Sequence, residues 1–158
     1  MLATFMGLLT RMLLGAPRTA MSIVPVLDFS RLTICGLEGG ATQTEIEQRL
    51  GPASDFAMRR KGQLAYPQIG LQLSLDDRRT LVGFSVFAGP GIFEQYQWEP
   101  GRRRRVPDET WFVRTLGEPT TRTADEQELM LEWKNGTLFV GIDFTLAGAL
   151  ADVLVDYR

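Results

Sequence analysis

The sequence predicts an α+β fold built from two tandem repeats. Each repeat is a short helix or helix pair followed by an antiparallel β-meander, the two units giving two sheets in one compact body or one continuous sheet, and an extra N-terminal amphipathic helix precedes both. Three observations predict it. From Val24 onward the chain reads twice in the same order, with Leu50-Gly51-Pro52 echoed by Leu116-Gly117-Glu118-Pro119. Apolar residues then recur at period two, as in Leu71, Leu73 and Leu75 or Phe84 and Val86, with Gln72, Ser74 and Ser85 between them. That spacing puts one face of a strand in a core and the other in water. Turn residues separate the runs: Asp76-Asp77 in the first repeat and Asn135-Gly136 in the second. The organisation is therefore residues 1–20 as the N-terminal helix, 24–90 as repeat 1, 91–107 as a linker or long loop, and 108–158 as repeat 2.

The N-terminal segment earns its helix from spacing. Leu2, Phe5, Met6, Leu9, Met12 and Leu13 fall on one side of a helical wheel, with Thr4, Gly7 and Arg11 on the other, and Gly15 and Pro17 stop it. Met1–Leu14 is too short for a spanning helix, which needs about 20 apolar residues. Docking on protein is the expected role, with a homo-oligomer contact as one form of it. The regular pattern begins after Pro25, so Met21 is an alternative start.

In repeat 1, Thr42 or Thr44 serves as N-cap, with Glu45 and Glu47 near the positive end of the helix dipole. Ile46 and Leu50 face the core, Gly51 ends the helix and Pro52 prevents its continuation. Strands follow at Gln63–Tyr66, Ile69–Leu75 and Leu81–Phe87. Repeat 2 starts a helix after Asp108 and continues with strands at Glu128–Trp133, Leu138–Phe144 and Leu150–Tyr157. Between the repeats, Phe93, Tyr96 and Trp98 have the spacing of one further strand, with Phe93 and Trp98 alternating into a core as the plain alternative.

Composition narrows the chemistry. The 158 residues include no histidine and one cysteine. A Ser-His-Asp or Cys-His nucleophile system, an imidazole proton shuttle and a His-bearing zinc site are all excluded. Cys35 alone closes no intrachain disulfide, and nothing asks for an oxidising compartment. The paired carboxylates Asp76-Asp77 and Asp125-Glu126-Glu128 lack calcium-loop spacing and read as turns. Gly39-Gly40 and Gly89-Pro90-Gly91 lack the strand–loop–helix context of a phosphate loop. The expectation is a non-enzymatic protein that needs no cofactor and no metal.

Charge is unevenly placed. Residues 1–105 carry 13 Lys and Arg against 9 Asp and Glu, while residues 106–158 carry 4 against 10. Such a chain steers a charged partner to one end or pairs its own halves. Phe93, Tyr96, Trp98, Arg102, Arg103, Arg104 and Arg105 form the candidate partner-binding loop, because Trp, Tyr and Arg are enriched at interface hot spots. The same composition fits nucleic acid, but no second basic stripe supports it and the pI is about 5.2.

Leu32-Thr-Ile-Cys-Gly36, Gly40-Ala-Thr-Gln-Thr-Glu45, Leu50-Gly51-Pro52, Tyr66 and the alternating strands resemble a known module. It is shared by the β-lactamase-inhibitor-protein repeat and the outer-membrane lipoprotein family of SmpA/OmlA type, and also occurs in bacterial toxin-immunity proteins. The resemblance covers Leu32–Phe87 and, more loosely, Trp111–Tyr157. It implies a helix pair on a four-stranded sheet, duplicated to give a concave surface that clamps a cognate protein. The chain lacks the paired cysteines of the secreted inhibitors and the lipidated cysteine of the lipoproteins, which leaves the cytoplasm as the expected location. The function expected is a protein-binding module of inhibitor or immunity type that occludes a toxin or enzyme. The alternative is an assembly module of an envelope or secretion complex, held by the N-terminal helix.

Overall fold

The alternating runs do pair, and they pair in one sheet. The computed structural model describes residues 24–54, 56–99 and 105–158; the N-terminal segment expected to be helical lies outside them. Seven strands form the main sheet: β3 (Gln63–Tyr66), β4 (Leu71–Leu75), β5 (Leu81–Phe87), β6 (Thr121–Ala124), β7 (Glu128–Asn135), β8 (Leu138–Thr145) and β9 (Leu150–Asp156). Their order is β3-β4-β5-β9-β8-β7-β6, antiparallel throughout. A separate two-stranded sheet joins β1 (Leu27–Asp28) to β2 (Thr33–Ile34).

The helices are short because their caps are close together. Thr42 caps α1 (Gln43–Leu50): its hydroxyl accepts from the Glu45 N–H, and the Glu45 carboxylate accepts from the Thr42 N–H at 2.7 Å. This reciprocal box satisfies two donors that a helix start leaves open. Asp108 caps α3 (Glu109–Leu116) by accepting from the Trp111 N–H. Between them lies the five-residue α2 (Phe56–Arg60), tied to α1 by a forked ion pair from Arg59 to both oxygens of Glu47 at 2.7 and 2.8 Å. Among the described residues no helix is long and apolar enough to cross a membrane.

The expected architecture of two helix-plus-meander repeats is thus corrected. The protein is mostly β, with three short helices among the described residues. What merges the two stretches is the pairing of β5 with β9, which sets Phe84 opposite Val155 and Val86 opposite Val153. Strands from residues 24–90 and 108–158 therefore share one sheet and one core. The second stretch also carries a strand with no counterpart in the expectation, β6, whose four residues are all exposed.

The core lies on one side of the sheet. Leu64, Leu73, Phe84, Val155, Val140 and Leu131 line it from the strands, and Ile46 and Phe112 close it from α1 and α3. Phe112 is fully buried at the centre of an aromatic cluster. Its ring meets Phe29 edge-on at 5.2 Å, Trp111 at 5.1 Å, Phe144 at 5.8 Å and Trp98 at 6.3 Å. These are T-shaped pairs, the arrangement that ring quadrupoles favour. The β7–β8 hairpin closes as a two-residue turn: Asn135 pairs with Leu138, and Gly136 takes the left-handed conformation with φ 59°.

Truncating Phe112 removes the ring that four others share. Phe112→Ala should destabilise the protein by about 3–5 kcal/mol, and Phe112→Leu by clearly less, read by urea unfolding. Equal, small losses for both would show that the cluster is not the centre of the core.

Candidate functional site

Antiparallel pairing sorts side chains into two sets, and among the described residues no element covers the set that avoids the core. Following the register across the sheet gives three rows on this outer face. One runs Gln63, Ser74, Gly83, Asp156, Phe139, Lys134. The next runs Ala65, Gln72, Ser85, Leu154, Gly141, Glu132, Thr121. The third runs Phe87, Asp152, Asp143, Met130, Thr123.

Two features distinguish this face from a polar, solvated one. Phe87 and Leu154 are 46% and 39% exposed, large apolar side chains on neighbouring strands. Phe139 extends the apolar strip: its ring lies so close over Gly141 that a Cβ there would stand 3.1 Å from it. Lys134 Nζ sits 5.6 Å from the centre of the same ring.

The second feature is charge. Asp143 and Asp152 stand directly opposite each other on β8 and β9, with Glu128 and Glu132 on β7 beside them. The cations of the face are engaged, Lys134 with Glu132 at 3.0 Å and Arg158 with Asp156 at 3.2 Å. Partial burial, then the facing Asp152 and the two glutamates, push the Asp143 carboxyl up to about 6. Burial also raises Asp152, whose Oδ1 is buried with no hydrogen-bond partner among the described residues. Such a pair holds its charges close together without compensation.

The residues that the sequence nominated for partner binding lie elsewhere. Phe93, Tyr96 and Trp98 are buried, so the expectation that they supply contacts is corrected. A 3-10 turn at Phe93–Gln95 aims Phe93 inward, the Tyr96 hydroxyl donates to the Ile69 carbonyl at 2.7 Å, and Trp98 stacks on Phe29. The segment forms no strand; Gln97 makes one parallel bridge to Val26. Arg105 is exposed, and Arg102, Arg103 and Arg104 fall outside the described residues. Five carboxylates of the acidic second half do converge, since β7, β8 and β9 bring Glu128, Glu132, Asp143, Asp152 and Asp156 to the outer face.

Asp76 and Asp125, from the carboxylate pairs that the sequence singled out, are turn residues. Asp76 accepts from the Arg78 and Thr80 N–H groups and from the Thr80 hydroxyl, and Asp125 accepts from the Gln127 and Glu128 N–H groups. These bonds hold both carboxyls below the usual range. Among the described residues no group of three or more His, Cys, Asp or Glu is placed to hold a metal ion. Cys35 is buried and its thiol is pushed up by desolvation, which makes it inert.

Asp143 and Asp152 were visible in the sequence only as polar positions in alternating strands. Leu154 and Phe87 carried a clearer signal. Val153-Leu154-Val155 and Val86-Phe87 are uninterrupted apolar runs, and in an alternating strand one member of each run must face outward.

The Asp143 shift has a stability consequence. An acid whose folded pKa is raised favours the protonated fold, so its contribution is greatest below the unfolded value near 3.9 and is lost as pH rises through about 6. Asp143→Asn should therefore raise Tm at pH 7.5, by roughly 2–4 °C after allowance for solvent screening, and leave Tm at pH 4 nearly unchanged. A gain of equal size at both pH values would place the effect outside this carboxyl.

No protein-family model matches the chain. No curated protein matches it. Among solved structures, it is similar to the crystal structure of a DUF4309 family protein (YjgB) from Bacillus subtilis. The two are 11% identical, with a TM-score of 0.49, and the match covers 74% of this chain and 78% of that one.

Proposed function

We propose that this chain is a non-enzymatic protein-binding module, of inhibitor or immunity type, that occludes its partner with the outer face of the seven-stranded sheet. The observation that carries the reading is the strip of Phe87, Leu154 and Phe139, uncovered among the described residues and bordered by the facing carboxylates of Asp143 and Asp152. Exposed apolar side chains on neighbouring strands lose solvent only when something covers them. The carboxylates define what that something is: a protein surface with basic residues around an apolar centre. The mechanism is steric, with charge setting the rate of encounter and the register of docking.

Size is consistent with this use. Seven strands about 4.8 Å apart, each about five residues long, give a face of roughly 500–600 Å². A stable interface takes about 800 Å² from each partner. The partner must therefore extend past the strip onto the rim of the sheet.

The test is an affinity capture from the native host with tagged full-length protein, repeated with Phe87→Ser plus Leu154→Ser. One stoichiometric basic partner, bound about 30-fold more weakly by the doubly substituted chain at unchanged Tm, is the expected result. Capture of envelope or secretion machinery that persists in the substituted chain and disappears on deletion of residues 1–17 would move the function to assembly.

The carboxylates give an independent expectation. Charge reversal by Asp143→Lys should slow association at low salt by about tenfold or more and have little effect at high salt, measured by stopped-flow kinetics. No change at low salt would remove charge from the recognition.

A further inference from the structure

The two edges of the main sheet are finished differently, and the difference leaves one of them able to accept a strand. At the β3 edge, alternation turns the Gln63 and Ala65 backbone groups outward, because Gly62 bonds inward to Leu75. The outward Ala65 carbonyl is already occupied: Ser54, in the loop before α2, donates to it from its N–H at 3.1 Å and its hydroxyl at 3.2 Å.

The β6 edge has no such cover among the described residues. Asp125 N–H donates to the Glu128 carbonyl, so in the β6–β7 ladder Asp125, Thr123 and Thr121 bond inward. The N–H and C=O groups of Arg122 and Ala124 then point away from the sheet, on a strand whose four residues are all exposed. The usual guards of an open edge are charges, prolines and bulges. Here the one charged side chain, Arg122, is drawn off the edge to Glu109 at 2.9 Å.

Beside this edge the core is open to a side chain. A notch of about 340 Å³ lies against Arg122 and Ala124, between the start of α3 at Asp108 and Glu109 and an apolar wall of Leu129, Phe144 and Leu146. Leu146 is 63% exposed at its mouth. Arg122 and Ala124 share the core face with Leu131 and Leu129 across the ladder, so an added strand would place alternate side chains over this notch. Glu118, Asp125 and Glu126 stand exposed at the two ends of β6 and make the approach acidic.

We propose that the β6 edge is a second interaction surface, which binds an extended segment of a partner protein by strand addition. That segment carries one large apolar side chain for the notch and basic residues on either side of it. Backbone bonds to Arg122 and Ala124 supply the pairing, the notch supplies register, and the flanking carboxylates supply the preference for basic sequence. The surface is distinct from the outer face of the sheet and does not depend on the function proposed for it.

The experiment uses the full-length chain and a synthetic heptapeptide, Lys-Val-Lys-Leu-Lys-Val-Lys, with a version bearing Glu for every Lys as control. Amide exchange is followed by NMR, and affinity by anisotropy of the labelled peptide. The basic peptide should slow exchange at the Arg122 and Ala124 amides by at least about tenfold at saturation, and the acidic one should not. Ala124→Pro removes an outward donor without touching the β7 ladder, so it should weaken binding by about tenfold at unchanged Tm. Leu146→Ser should weaken the Leu-bearing peptide more than one with Ala in its place. The proposal is overturned if the peptide leaves both amides unprotected, if its perturbations are confined to Leu154 and Phe87, or if the acidic peptide binds equally well. Protection of both amides in the absence of peptide, from a second copy or from residues 1–23, would also overturn it.

Discussion

The Phe112 ring is the point on which the rest of the structure depends. It is the place where four segments meet: Phe29 from the β1–β2 turn, Trp98 from the segment that follows the 3-10 turn at Phe93–Gln95, Trp111 from its own helix and Phe144 from β8. None of these segments is stable alone. A two-residue strand pair and an eight-residue helix are both below the length at which local bonds outweigh chain entropy. Their order comes from this shared contact, and the sheet beneath them is the floor that lets them converge. The segment nominated for binding became part of that floor's cover because the residues suited to interface hot spots are also those that bury the most apolar area.

Covering one face so completely has an effect on the other. With α1, α3, the small sheet and the Phe93–Trp98 segment all on one side, no further element among the described residues lies over Ser85, Leu154 and Gly141. The outer face must then be tolerable to water while retaining Phe87 and Leu154. Its carboxylates do this, and they do it at a cost. Asp143 and Asp152 oppose each other in register, an arrangement that cross-strand pairing disfavours unless something else is gained. The binding role proposed for this face would supply that gain, and it ties the charge to the apolar strip.

Local features were legible in the sequence. Thr42, one of the two caps the sequence allowed, and Asp108 start their helices, Gly51 and Gly117 end them, and the period-two runs are strands. These are decided by side chains acting on their own neighbourhood. The pairing of β5 with β9 was not legible, because it joins residues about seventy positions apart and alternation says nothing about which strand is adjacent to which. Nor was β6: Thr121–Ala124 has no apolar member to bury, and only its backbone ladder to β7 makes it a strand. The outer face was half legible. Its apolar members break alternation where it can be seen, but the opposition of Asp143 and Asp152 exists only in the register.

The position of β9 carries a consequence for how the molecule is made. It follows all the other strands in sequence yet sits fourth of seven in the sheet, between β5 and β8. Until it arrives, the chain consists of two partial sheets with Phe84 and Val86 on one open margin and Val140 and Ile142 on the other. Loops of this size close slowly, and long-range strand pairing is exposed to rivals while it waits. Folding is thus a problem of closing a seam from the far end of the chain. Tyr157 secures it at that end, with its ring packed on Gly39 and its hydroxyl donating to the Leu32 carbonyl. The hazard during synthesis is a second chain's β9 arriving first, which would give an exchanged dimer with the same seam.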